Sequence, residues 1–277
     1  MSKKIDASLF RRGLKNREWD FKYIEKSKEE SSLLFYKNFQ IQNYITKLFN
    51  SYGLIVMMFK IEYSISCIVI KISIFDLNSK HINLTPQKTF KKFNNIINNN
   101  LIISLKNYYN VNKVSIKLKN LNKVFENNLI KSKHFKIEFK KNLSQLRVLK
   151  NNTKQLELIK LAFIIISNKN TAKLLSKFIS YLLNNTKNKY SSNIFISFKN
   201  IFNVLIRSKV SKISGISILV AGRINGFPRA KKRQIKIGTL PVQSINLEID
   251  YSKETVYTDN GTLGLKILIC NKNEQNF

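Results

Sequence analysis

Apolar residues recur at helical spacing over 33–49 (Leu34, Tyr36, Phe39, Ile41, Tyr44, Ile45, Leu48, Phe49) and stop near Gly53, which predicts a helix with a glycine stop. Two runs rich in Ile and Val follow, 55–63 and 65–75, and read as strands. A second helical pattern (Phe90, Phe93, Ile96, Ile97, Leu101, Leu105) and a strand over 114–118 complete a first α+β region. Between 119 and 168 Lys and Asn break up the apolar positions until a helical run at 156–166. That stretch reads as an expanded, partly ordered connection.

The pattern sharpens again from residue 170. Asn170 or Thr171 can cap a helix whose stripe is Leu174, Leu175, Phe178, Ile179 and Leu182. A polar break at 184–192 leads to a second helix over 194–207 with Phe195, Phe198, Ile201, Phe202 and Leu205 on one side. Six of the eight glycines and two of the three prolines then fall within 215–270. They punctuate short β-branched runs at 216–220, 234–237, 245–249, 255–258 and 265–269. The fold class is therefore α+β in two domains, the second with two helices and a mostly antiparallel or mixed sheet of four to five strands. The expected divisions are an N-terminal arm over 1–35, a first domain over 36–118, the connection over 119–168 and a second domain over 169–277.

Charge changes the picture most. The 277 residues include 49 Lys and Arg against 16 acids, a net charge of +33, which calls for a polyanionic partner. An A+T-rich gene would also raise Lys, Asn, Ile and Phe together, and all four are abundant. Distribution separates the two causes: no acid lies between Glu157 and Glu248, a span with 16 Lys and Arg. The loop joining the first two C-terminal runs concentrates Arg223, Arg229, Lys231, Lys232 and Arg233 around Gly226-Phe227-Pro228. Arginines fork onto phosphates, lysines add point charge, Pro228 stiffens the loop and Phe227 offers a ring for stacking. Lysines alone could simply guard a sheet edge; three arginines without any acid favour RNA.

Other chemistry is thin. Glu248, Asp250, Glu254 and Asp259 do not form a metal-binding carboxylate set, and no phosphate loop, nucleophile elbow or zinc spacing occurs. No catalysis, metal or cofactor is expected. His81 and His134 lack ligand-spaced partners. Cys67 and Cys270 read as reduced core residues in strand-like runs. No apolar run reaches the roughly 18–20 residues that span a bilayer, so no membrane partner is expected. The start Met-Ser-Lys-Lys-Ile-Asp lacks the shape of an import sequence, and with the A+T bias this suggests synthesis inside an organelle, a mitochondrion.

The ordered pieces Gly-Ile-Ser-Ile-Leu-Val-Ala-Gly-Arg-Ile-Asn-Gly (215–226), Pro-Arg-Ala-Lys-Lys, Gly-Thr-Leu-Pro, Ile-Asp-Tyr and Thr-Leu-Gly-Leu-Lys-Ile resemble the universal small-subunit ribosomal protein three family. The resemblance implies a diverged, mitochondrial member: a structural component of the small-subunit head, at the messenger entry side. It would bind ribosomal RNA beside proteins of the ten and fourteen families, with messenger RNA at the entry channel. It implies a type II KH-like first domain, but no glycine lies between Gly53 and Gly215, so the GXXG phosphate loop is missing and its nucleotide grip is expected to be lost or weak. Leu-Phe-Arg-Arg-Gly resembles the family's basic arm, with Arg11 and Arg12 offered to RNA. Family arginines that face the messenger are replaced here by Asn184, Asn185, Phe195 and Ile196, while Lys199 and Arg207 agree. Ribosomal RNA anchoring through Lys199, Arg207, Lys209, Lys212 and the 223–233 loop is thus the implied role, ahead of messenger unwinding. The alternative is an organellar intron-splicing or maturase-like RNA-binding cofactor.

Overall fold

The computed structural model describes residues 6–11, 19–25, 27–64, 67–76, 101–109, 113–124, 137, 153–168, 171–185, 191–208, 211–224, 228 and 231–272. Contacts divide the chain into two units, Glu18–Val124 and Met1–Arg17 with Phe125–Phe277. The architecture is α+β, with one four-stranded sheet in each unit.

In the first unit, β1 (Phe21–Lys22) precedes α1 (Lys28–Ser51), which is longer than the apolar pattern alone suggests. The extra turn comes from Ser27, whose side chain accepts the Glu30 N–H, with Glu29 and Glu30 on the positive end of the helix. Gly53 takes φ 74° just past the end, a backbone shape that glycine adopts without strain. β2 (Leu54–Tyr63) and β3 (Ile68–Asp76) pair antiparallel, and β4 (Val114–Asn120) joins β3 in parallel. Cys67 therefore lies in the β2–β3 turn, half-buried, not in a strand as expected.

Helix α2 (Ile102–Tyr109) and α1 cover the same side of this sheet. Ile41, Ile45 and Phe49 meet Phe59, Ile61, Ile70 and Ile72, and Leu105 and Tyr109 close the cluster. Asn38, fully buried on α1, accepts hydrogen bonds from Tyr63 and Tyr109, which ties strand and both helices through one amide. The expected residues Phe90, Phe93, Ile96 and Ile97 and the loop after β3, including His81, lie outside the described residues, as does His134.

In the second unit, α3 (Thr153–Ser167), α4 (Ala172–Asn185) and α5 (Ser191–Ile206) form one layer. The sheet is the other, in the order β6-β5-β8-β7, with every pairing antiparallel. Its strands are β5 (Ile213–Gly222), β6 (Lys232–Gly238), β7 (Ile249–Thr258) and β8 (Gly261–Asn271). Helix α3 contains the helical run expected at 156–166. Its residues Leu158–Ile166 are mostly buried and so belong to the packed layer, not to a loose connection, because an almost uninterrupted apolar run must be covered on every side.

A second correction concerns 245–249, expected as a strand. β6 and β7 lie on opposite edges, so residues 239–248 must cross the sheet, and only Ile249 enters β7. The crossing passes so close to β5 that a Cβ on Gly215 would lie 2.2 Å from the Thr239 carbonyl oxygen. Thr239 N–H donates to the Ser214 carbonyl and holds it there.

Candidate nucleic-acid interface

Pairing register assigns the faces of the second sheet. Ser252 on β7 hydrogen-bonds Ser176 of α4 at 2.7 Å, and Asp250 accepts the Ala172 N–H at 2.7 Å. That second bond satisfies a helix N–H that Asn170 or Thr171 was expected to cap; Thr171 is buried and turns its hydroxyl to the Ile165 carbonyl. Positions paired with Ser252, namely Ile267, Ile218 and Ile235, share the helical side and are buried. The alternate rows therefore face away from the helices: Lys236–Ser217–Leu268–Tyr251, Gln234–Leu219–Lys266–Lys253 and Lys232–Ala221–Gly264–Thr255. Among the described residues, no strand position on this side is acidic.

The acids have gone elsewhere for physical reasons. Asp250 and Glu254 point to the helices, Glu248 immediately precedes β7, and Asp259 occupies the β7–β8 turn. Burial pushes the Glu254 carboxyl up, and the Lys177 and Lys173 charges only partly counter it. A carboxyl raised in the fold contributes stability below its unfolded pKa, and that contribution fades as pH rises through the folded value. Glu254→Gln is therefore expected to be more stabilising near neutral pH than near pH ~4, as read by thermal unfolding of both proteins at each pH. Equal differences at the two pH values would contradict the burial argument.

Four of the sequence-predicted cations lie at one end of the sheet, with Lys232 on the side away from the helices and Arg233 on the helical side. Arg223 follows β5, Lys231 bonds back through its carbonyl to the Gly222 N–H, and Lys232 pairs with Ala221. Arg233 is half-buried with its guanidinium carbon 5.1 Å from the centre of the Phe195 ring. This cation–π contact fixes a guanidinium that would otherwise lose rotamer freedom on meeting a ligand, and is worth about 0.5–2 kcal/mol. Phe195, one of the departures from the resembled pattern, thus supports an arginine supplied by the neighbouring strand.

The remaining predicted residues are distributed differently. Lys199 is exposed on α5, and Arg207 is exposed in the turn just past the end of that helix. Lys212 is exposed at the start of β5, the opposite end of a ten-residue strand from Arg223. Arg12, Lys209 and Arg229 lie outside the described residues, as does Phe227. Sequence reading missed Lys236, Lys253 and Lys266. The period-two alternation of 232–236 and 251–255 was legible, but their common side follows only from register.

Arg11 departs from expectation. It is 5% exposed, and its guanidinium donates to the carbonyls of Val242 at 2.6 Å, Ser244 at 2.8 Å and Ala7 at 2.5 Å. A buried guanidinium needs its donors paired, and here the crossing segment supplies the acceptors. Arg11 therefore clamps the arm to residues 242–244 and its fork is spent on backbone. Arg11→Ala is expected to cost about 2 kcal/mol, seen as a lowered unfolding midpoint and faster proteolysis of the arm.

Residues 194–269 match the family described as "Ribosomal protein S3, C-terminal domain". The chain is 32% identical over 73 residues to the "Small ribosomal subunit protein uS3" of Elm witches'-broom phytoplasma, covering 24% of this chain and 29% of the relative. It is 38% identical over 63 residues to the "Small ribosomal subunit protein uS3c" of Tupiella akineta, covering 23% and 28%, and equally identical over 63 residues to that of Cyanidium caldarium, covering 23% and 30%. The chain spans under a third of the length of these relatives, and the match coincides with α5 and the second sheet.

Proposed function

We infer, from a chain that belongs to the ribosomal protein S3 family through its C-terminal domain, that the protein is a structural constituent of the small ribosomal subunit that binds ribosomal RNA. Its role is architectural and not enzymatic. The observation that carries this reading is the cationic end of the second sheet. Arg223, Lys231 and Lys232 lie there beside a strand face without acids, and Arg233, on the helical side of the same end, has its guanidinium held by Phe195. Such a surface binds by releasing counterions from phosphates, so affinity falls steeply with salt.

The finer reading follows the resemblance. The order helix, two antiparallel strands, helix and parallel strand in the first unit supports a KH-like fold of the second type. The protein sits in the subunit head at the messenger entry side, next to proteins of the ten and fourteen families, and anchors RNA more than it unwinds the messenger. The relatives named are bacterial and plastid-type; the A+T-biased composition supports a mitochondrial ribosome. Cosedimentation tests the assignment: at moderate salt the chain is expected to travel with small subunits. Recovery mainly with intron RNA would move it to the splicing-cofactor reading.

A further inference from the structure

Helix α1 turns to solvent a surface that its own fold does not use. Leu33, Tyr36, Phe39 and Tyr44 are 60%, 59%, 50% and 56% exposed, while Ile41, Ile45 and Phe49 on the opposite side are buried against the sheet. Glu29, Leu33, Tyr36, Gln40, Tyr44 and Lys47 stand three or four positions apart, so they follow one line along the helix. All six are exposed, and Phe39 flanks them. This is the spacing at which one helix packs along another. Single exposed apolar residues are ordinary, but a continuous aromatic stripe marks an interface.

The stripe is set in place before anything meets it. The Gln40 amide donates to the Tyr36 hydroxyl at 2.6 Å, and the Tyr108 hydroxyl of α2 donates to the Gln40 carbonyl oxygen at 2.5 Å. One side chain thus fixes two rings, which leaves less rotamer freedom to lose on association.

Charge selects the occupant. Glu29 stands at one end of the line and Lys47 at the other, roughly 27 Å apart at 1.5 Å per residue. Among the described residues neither has a salt-bridge partner. A second copy of α1 laid antiparallel puts each Glu29 against the other copy's Lys47, with Tyr36 beside Gln40 and Leu33 beside Tyr44. The line therefore complements itself about a two-fold axis. The helix dipole explains an acid in the first turn, but not the large apolar side chains between the charges. A nucleic-acid strand stacking on these rings would want cations beside them, and the line offers Lys47 alone, with Glu29 repelling phosphate.

We propose that α1 is the seam of a symmetric, antiparallel dimer of the free chain. The dimer shares no residue with the cationic end of the second sheet, and its salt dependence runs the other way. Two chains of net charge +33 repel each other. Salt at roughly 0.15 M cuts the range of that repulsion to about 8 Å, so apolar association strengthens where phosphate binding weakens.

The test is sedimentation equilibrium of the full chain over a range of concentration and salt, with and without nuclease treatment. The average mass is expected to rise from one chain toward two, and to do so more readily at moderate salt than at low salt. Glu29→Lys and Lys47→Glu are each expected to weaken association about tenfold, because one change acts twice in a symmetric pair. Combined, they exchange the two signs and are expected to restore it. Tyr36→Ser with Tyr44→Ser is expected to abolish the dimer and leave the unfolding midpoint in place, since both rings are exposed; should that variant fail to fold, the charge exchange carries the test. A single-chain mass throughout overturns the proposal. So does a double exchange that fails to restore what each single change loses, because that assigns the stripe to a different protein. A mass increase that disappears on nuclease treatment overturns it as well, by assigning the stripe to RNA.

Discussion

Gly215→Ala is expected to lower the unfolding free energy by about 2–3 kcal/mol, the upper part of the ~1–3 kcal/mol typical of overpacked core sites. The new Cβ would stand 2.2 Å from the Thr239 carbonyl oxygen and 2.7 Å from its carbon, and backbone cannot step aside as a side chain does. Thr239 is held from two directions: its N–H donates to the Ser214 carbonyl, and the single Ser214 hydroxyl proton is shared between the Thr239 and Cys270 carbonyls. Relief would require residues 239–248 to lift from the sheet, loosening the segment that Arg11 clamps. Gly261→Ala is the control. Its φ of 118° strains any other residue, but nothing lies within 4 Å, so only the conformational cost of about 1 kcal/mol is expected. Denaturant unfolding of both variants checks the pair; equal costs would mean that the crossing segment yields easily.

Substituting glutamine for Arg223, Lys231, Lys232 and Arg233 together is expected to weaken RNA binding by two or more decades at moderate salt and to flatten the salt slope by about 3–4. Stability should change little, because Arg223, Lys231 and Lys232 are exposed. Arg233 is the exception within the set. Its contact with Phe195 gives it a structural share, so Arg233→Lys is expected to keep the charge yet lose part of the affinity, as a flexible ammonium replaces a held plane. Parallel measurements of binding and unfolding separate these effects. A full-affinity quadruple variant would remove the observation on which the functional reading rests.

Where the chain itself states a strong period, reading and structure agree. The helices at α1, α4 and α5 lie where apolar residues repeat every three or four positions, and four of the five β-branched runs in the glycine-rich third fall in strands. The cationic loop end was equally legible, because a local run of arginines and lysines without acids needs no partner strand to be seen. Reading failed where one residue's fate depends on a distant one. Run 245–249 has strand-forming residues, but the edge positions of β6 and β7 oblige the chain to cross the sheet there. Arg11 looks like a free basic arm until the carbonyls of Val242 and Ser244, more than two hundred residues away, take its donors.

The amino-acid sequence by itself determined the charge balance, the α+β composition and the acid-free cationic segment, since charge and periodicity are local properties. Tertiary structure alone decided which side of the second sheet faces outward. Cross-strand register, set by long-range pairing, gathers Lys236, Lys253 and Lys266 on one side and turns Asp250 and Glu254 toward the helices.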